Sequence, residues 1–125
     1  MKVTHLVSVD DFTKADLKEL FILTDSIKKT PQKYKQALKN KILALLFYEP
    51  STHTRLSFES AIMRLGGSIL SVENATADSS ASKGETISDV IRVVGGYCDG
   101  VIMRHPNDSS AQEASLATNK VFINA

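Results

Sequence analysis

The run Phe47-Tyr48-Glu49-Pro50-Ser51-Thr52-His53-Thr54-Arg55-Leu56-Ser57-Phe58-Glu59 drives an apolar stretch into a hydroxyl-rich turn that opens an amphipathic helix. That junction suits an anion. The first-turn N–H groups of a helix have no intrahelical partner, and the helix dipole adds partial positive charge there, so a phosphate can be held without a metal. The hydroxyls of Ser51, Thr52 and Thr54 and a guanidinium at Arg55 would add donors to those amides. On position alone, Ser51 and Thr52 read more readily as ordinary helix caps. Arg104 follows a second apolar run, Val101 to Met103, and Lys83 opens Lys83-Gly84-Glu85-Thr86. Taken singly, Arg104 reads as a solvated surface residue and Lys83 as a helix-flanking charge. Arg55 and Glu59, four apart, read as a structural pair on one helix face.

Other chemistries find little support. Ser51 lacks the Gly-x-Ser-x-Gly elbow of a hydrolase nucleophile. His5, His53 and His105 have no metal-ligand spacing, and no Gly-rich nucleotide motif occurs, so neither metal nor cofactor is expected. The lone Cys98 reads as a buried packing residue. Lys and Arg number 15 against 14 Asp and Glu, a balance that argues against nucleic acid or an anionic membrane as partner. The longest apolar stretch, Ile42 to Tyr48, is too short to span a bilayer, and the start lacks a signal-peptide core, so a cytoplasmic location is expected.

The elements that must position these residues alternate in type. Thr13 caps a helix with Asp16 as its capping-box partner and Phe12 and Leu17 at staple positions; Leu17, Leu20, Phe21, Thr24 and Ile27 share one face of it. Ile42 to Phe47 is continuously apolar, as in a strand buried on both faces of a parallel sheet. The stripe Phe58, Ala61, Ile62, Leu65 predicts a helix ended by Gly66-Gly67. Then come a strand at Ile69–Val72, a helix through Ile87, Val90, Ile91 and Val94, a strand at Val101–Met103, a helix over Asp108–Thr118 and a strand at Val121–Ile123. This order predicts a three-layer α/β/α domain around a parallel, doubly wound, four-stranded sheet. Ligands of such sheets bind beyond the carboxyl ends of the strands. Ser51 to Arg55, the loop from Glu73 to Lys83, Arg104 with His105, and Asn124 all fall there.

Glu49-Pro50-Ser51-Thr52-x-Thr54-Arg55-Leu56-Ser57-Phe58-Glu59, then Arg64-Leu65-Gly66-Gly67, Lys83-Gly84-Glu85-Thr86 and Met103-Arg104-His105-Pro106, closely resembles the amino-terminal half of the aspartate carbamoyltransferases, in order and in spacing. The resemblance covers nearly the whole chain. It implies a carbamoyl-phosphate-binding domain over residues 1–125, the amino-terminal part of a two-domain enzyme whose aspartate-binding domain lies elsewhere; this portion alone would be inactive. The implied reaction moves the carbamoyl group of carbamoyl phosphate to the amine of L-aspartate, in pyrimidine synthesis. By resemblance, Ser51, Thr52, His53, Thr54 and Arg104 bind carbamoyl phosphate, with Arg104 and Thr54 acting on its carbonyl. Ser79 and Lys83 reach the site of a neighbouring subunit in a homotrimer, with or without regulatory chains. The family pattern is Ser-Thr-Arg-Thr-Arg, and His53 stands at its central arginine. An arginine there grips phosphate and pairs with the glutamate matching Glu85 on the adjacent subunit; imidazole lacks its planar fork and permanent charge. A carbamoyltransferase acting on another amine, such as ornithine, and a non-catalytic homologue remain alternatives.

Overall fold

The computed structural model describes residues 4–73, 75 and 84–125. At its centre five strands run parallel: β1 (His5–Leu6), β2 (Ile42–Phe47), β3 (Ser68–Val72), β4 (Gly100–Arg104) and β5 (Val121–Asn124), ordered β1-β5-β4-β2-β3. The sheet therefore gains one strand over the four expected. The addition is β1, which pairs His5 with Phe122 and Leu6 with Ile123. Two residues are too few to show any apolar alternation.

The helices are α1 (Lys14–Lys29), α2 (Pro31–Tyr34), α3 (Thr52–Arg64), α4 (Ile87–Gly95) and α5 (Asp108–Leu116), with a short 3₁₀ turn at Val9–Asp11. Helix α2 was not foreseen; it is one turn with proline in its first position, where the missing N–H costs nothing. Alternating residues of β2 split the core. Ala44, Leu46 and Tyr48 face α4 and α5 with Val90, Ile91, Ala111, Ala114 and Phe122. Leu45 and Phe47 face α3 with Ile62 and Ile102. Helices on both faces bury the central strands twice, which is why β2 and β4 read as unbroken apolar runs. Burial of side chains such as Phe47 and Leu45 stabilises the domain by about 1.5–3 kcal/mol each.

Two local predictions hold in detail. Thr13 accepts from the Asp16 amide while the Asp16 carboxylate accepts from the Thr13 amide. Gly66, at φ +85°, turns the chain out of α3, and a Cβ there would lie 2.5 Å from the Lys35 carbonyl oxygen. Helix α1 differs from expectation. Its apolar stripe is only partly covered: Leu17, Leu20 and Ile27 are half-buried, Phe21 is 64% exposed, and no residue of α1 is fully buried. Periodicity shows which side of a helix is apolar, whereas only the fold decides whether anything covers it.

Candidate functional site

The connections define where a ligand can sit. From β2 the chain passes through α3 to β3 on one side, whereas from β4 it passes through α5 to β5 on the other. The winding reverses between the neighbours β2 and β4. In open α/β sheets that switch point is the place where loops part to leave a crevice. Register places Phe47 opposite Arg104 at the ends of these two strands. Ser51 to Arg55 and Arg104, far apart in sequence, therefore leave the sheet side by side.

At the β2 exit, Ser51 is the residue before α3, and the intrahelical ladder begins only with the Arg55 amide donating to the Ser51 carbonyl at 3.2 Å. The first-turn amides of Thr52, His53 and Thr54 are left facing outward. Ser51 makes no side-chain capping bond, and the first turn of α3 contains no acidic residue. The cap reading of Ser51 is thus corrected: its φ of −156° and ψ of 80° accompany a hydroxyl left uncommitted to the helix. Thr52 and His53 are exposed, whereas Ser51 and Thr54 are half-buried.

At the β4 exit, Arg104 is held from two sides. Its carbonyl accepts from the Tyr48 amide at 2.9 Å. Its Nε donates to Glu49 Oε1 at 2.6 Å. Among the described residues the terminal nitrogens of its guanidinium carry no hydrogen bond, so the fork keeps donors for an anion. Arg104 is therefore a tethered, half-buried cation and not a free surface residue. Sequence reasoning missed Glu49 as its anchor, although Glu49 lies in the very motif that was singled out. The missing signal was the adjacency of β2 and β4, which only the topology supplies.

The expected pair Arg55–Glu59 is present at 3.6 Å and is extended by Glu73 at 3.2 Å, tying the end of β3 to the first turns of α3. His105 follows Arg104, its ring 4.8 Å from that of Tyr48 and its Nδ1 accepting from the Asn107 amide at 3.0 Å. Burial pushes the Tyr48 phenol upward from its ordinary value, and the charge of Glu85 adds to that shift. Asn124, at the end of β5, donates its side-chain amide to the Val7 carbonyl at 3.1 Å and so closes the β1 edge instead of joining the cluster. Cys98 is buried as expected, with Sγ 3.2 Å from the Val94 carbonyl. Ser79 and Lys83 lie outside the described residues. Among the described residues no group of three or more His, Cys, Asp or Glu could hold a metal ion, and no helix is long and apolar enough to cross a membrane.

Comparisons with known proteins agree with this geometry. The family described as "Aspartate/ornithine carbamoyltransferase, carbamoyl-P binding domain" matches residues 4–125. An aspartate carbamoyltransferase catalytic subunit from Thermoplasma volcanium is 50% identical across all of this chain and 41% of its own length. One from Clostridium botulinum is 50% identical across all of this chain and 40% of its own. The catalytic subunit of M. jannaschii aspartate transcarbamoylase superposes with a TM-score of 0.89 at 39% identity, over 98% of this chain and 40% of that one. The Trypanosoma cruzi aspartate transcarbamoylase in complex with carbamoyl phosphate does so with 0.87 at 32% identity, again over 98% of this chain and 40% of that one. This chain spans about two fifths of the length of the curated relatives it matches. It belongs to the aspartate/ornithine carbamoyltransferase family, and what it carries is the family's carbamoyl-phosphate-binding domain.

Proposed function

We propose that this domain serves an enzyme that transfers the carbamoyl group of carbamoyl phosphate to the amine of L-aspartate, giving N-carbamoyl-L-aspartate and phosphate. The observation that carries the reading is the pairing of the open first turn of α3 with Arg104 at the switch point. The amides of Thr52, His53 and Thr54, with the hydroxyls of Ser51, Thr52 and Thr54, hold the phosphate oxygens. Arg104, oriented through Nε by Glu49, and the Thr54 hydroxyl take the carbonyl oxygen as it gains negative charge. The aspartate nitrogen attacks the carbonyl carbon, the carbon–oxygen bond to phosphate breaks, and phosphate departs with the bonding pair as the nitrogen gives up a proton. Phosphate is already a good leaving group, so no covalent enzyme intermediate is needed. Positioning supplies at most about 7–11 kcal/mol of such a barrier, and one fixed oxyanion donor about 3–4 kcal/mol.

His53 weakens this grip relative to an arginine. Its ring has neither the bidentate fork nor the permanent charge of a guanidinium. Ser79 and Lys83 are assigned to the site of a neighbouring subunit in a homotrimer by resemblance to the family. Exposed apolar side chains on α3 (Leu56, Met63), on α4 (Val93) and just beyond α4 (Tyr97) are consistent with faces covered by other copies.

The test is product formation by a full-length chain carrying this domain, given carbamoyl phosphate and either L-aspartate or L-ornithine. Carbamoyl-aspartate alone supports the proposal. Citrulline alone would move the chain to the ornithine branch, and no product from either would make it a non-catalytic homologue.

A further inference from the structure

Arg104 ends β4, and the residue that follows it, His105, is held from two sides. The His105 ring lies 4.8 Å from the Tyr48 ring at an interplanar angle of 48°. Tyr48 is itself buried, and its amide bonds the Arg104 carbonyl. On its other side, His105 Nδ1 accepts the Asn107 amide at 3.0 Å, and Asn107 caps α5, its Oδ1 accepting from the Ser109 amide at 3.2 Å. A chain of contacts thus runs from the exit of β2, through the imidazole, to the amino terminus of α5. An imidazole nitrogen that accepts an amide proton carries none itself, so the neutral ring has its proton on Nε2.

We propose that His105 is a positioning residue for Arg104: with Nδ1 it fixes the turn into α5 and with its ring it clamps that turn to Tyr48, so the guanidinium stays on Glu49 and aimed at the switch-point crevice. Alternation along the extended chain sends consecutive side chains to opposite faces, so His105 lies against Tyr48 while Arg104 meets Glu49. His105 therefore acts through Arg104 and does not touch the substrate. The inference rests on the carbamoyl-transfer reading for its kinetic consequence, but not for its geometry.

Two substitutions in the full-length chain separate the acceptor from the ring. His105→Phe keeps an aromatic ring against Tyr48 but removes the acceptor. His105→Asn restores an acceptor, since an asparagine side chain bonds the amide two residues on. His105→Phe is expected to lower kcat about tenfold or more with the KM for L-aspartate nearly unchanged, because a small misplacement of a charged donor is costly. His105→Asn is expected to recover most of that rate. In an Arg104→Ala background, His105→Phe should change the residual rate by less than about twofold, the non-additivity of residues that act as one unit. Equal losses in both backgrounds, or an asparagine variant as poor as the phenylalanine one, would overturn the inference. If the unsubstituted chain makes no product, the functional reading fails separately. The inference is then decided by a crystal structure of the His105→Phe chain: an Arg104–Glu49 contact kept at 2.6 Å would refute it, and loss of that bond would support it.

Discussion

A cation next to a carboxylate can be neutralised or aimed, and Arg104 is aimed. Glu49 takes Nε–H and leaves the outer edge of the guanidinium unoccupied among the described residues. Both side chains are about one-third exposed, so water screens the pair and its stabilising effect is about 1 kcal/mol. Glu49→Ala is accordingly expected to lower kcat about five- to tenfold while lowering the melting temperature by no more than a few degrees, as steady-state rates and calorimetry would show. At position 53 the expectation has the opposite sign. His53→Arg adds a charge-assisted donor on a helix N-terminus, worth about 1.5–3 kcal/mol, so the transfer rate at pH 8 should rise about tenfold or more. An unchanged rate would mean that this position does not handle phosphate. The residue types of the candidate site were singled out in the sequence, from Ser51 through Thr54 and at Arg104. Their arrangement was legible only in part. The hydroxyl of Ser51 turned out not to cap α3, and the partner of Arg104 was hidden because nothing local to either strand says that β2 and β4 are neighbours.

Helix ends were the most legible elements because their chemistry is local. Thr13 and Asp16 form their reciprocal cap from residues three apart, and Thr13→Ala should cost about 0.5–2 kcal/mol in chemical denaturation. Gly66 is a stricter case. Its φ of +85° and the Lys35 carbonyl 2.5 Å from where a Cβ would stand leave room for no other residue, so Gly66→Ala should destabilise by more than about 1 kcal/mol. A melting temperature within about a degree of the unsubstituted protein would contradict that strain, since 1 kcal/mol corresponds to roughly 2–8 °C in a domain of this size. The four foreseen strands were found where their apolar runs lay, β2 with the same bounds and the other three extended by a residue or two in the fold. What failed were the shortest elements, β1 and α2, which contain too few residues to carry a period. The covering of α1 also escaped, because its stripe implies a partner without naming one.

For the molecule as a whole, 15 Lys and Arg against 14 Asp and Glu give almost no net charge to draw in an anion from a distance, so the proposed anion grip depends on a few local groups. The same charges set how stability depends on pH. Asp11, Asp16 and Asp99 sit below the ordinary carboxylate value of 3.8; backbone amides of Ser8 and Val7 hold Asp11, the Thr13 hydroxyl and amide hold Asp16, and the Ile42 amide, with Lys41, holds Asp99. A depressed folded value means the contribution is complete above the ordinary value of 3.8 and is lost as pH falls from there through the folded value. Cys98 and Tyr48 are raised by burial above their ordinary 9.0 and 10.0, so the folded state resists their ionisation and stability declines as pH climbs past about 9. Melting temperature measured against pH should therefore form a plateau from about pH 5 to 9 with shoulders on both sides. The measurement that bears most directly on the account is kcat for Arg104→Ala in the full-length chain, at saturating carbamoyl phosphate and L-aspartate. A guanidinium that stabilises the developing oxyanion predicts a fall of about a hundred- to a thousandfold. A rate unchanged within a factor of about two would contradict the placement of the reacting carbonyl at this switch point.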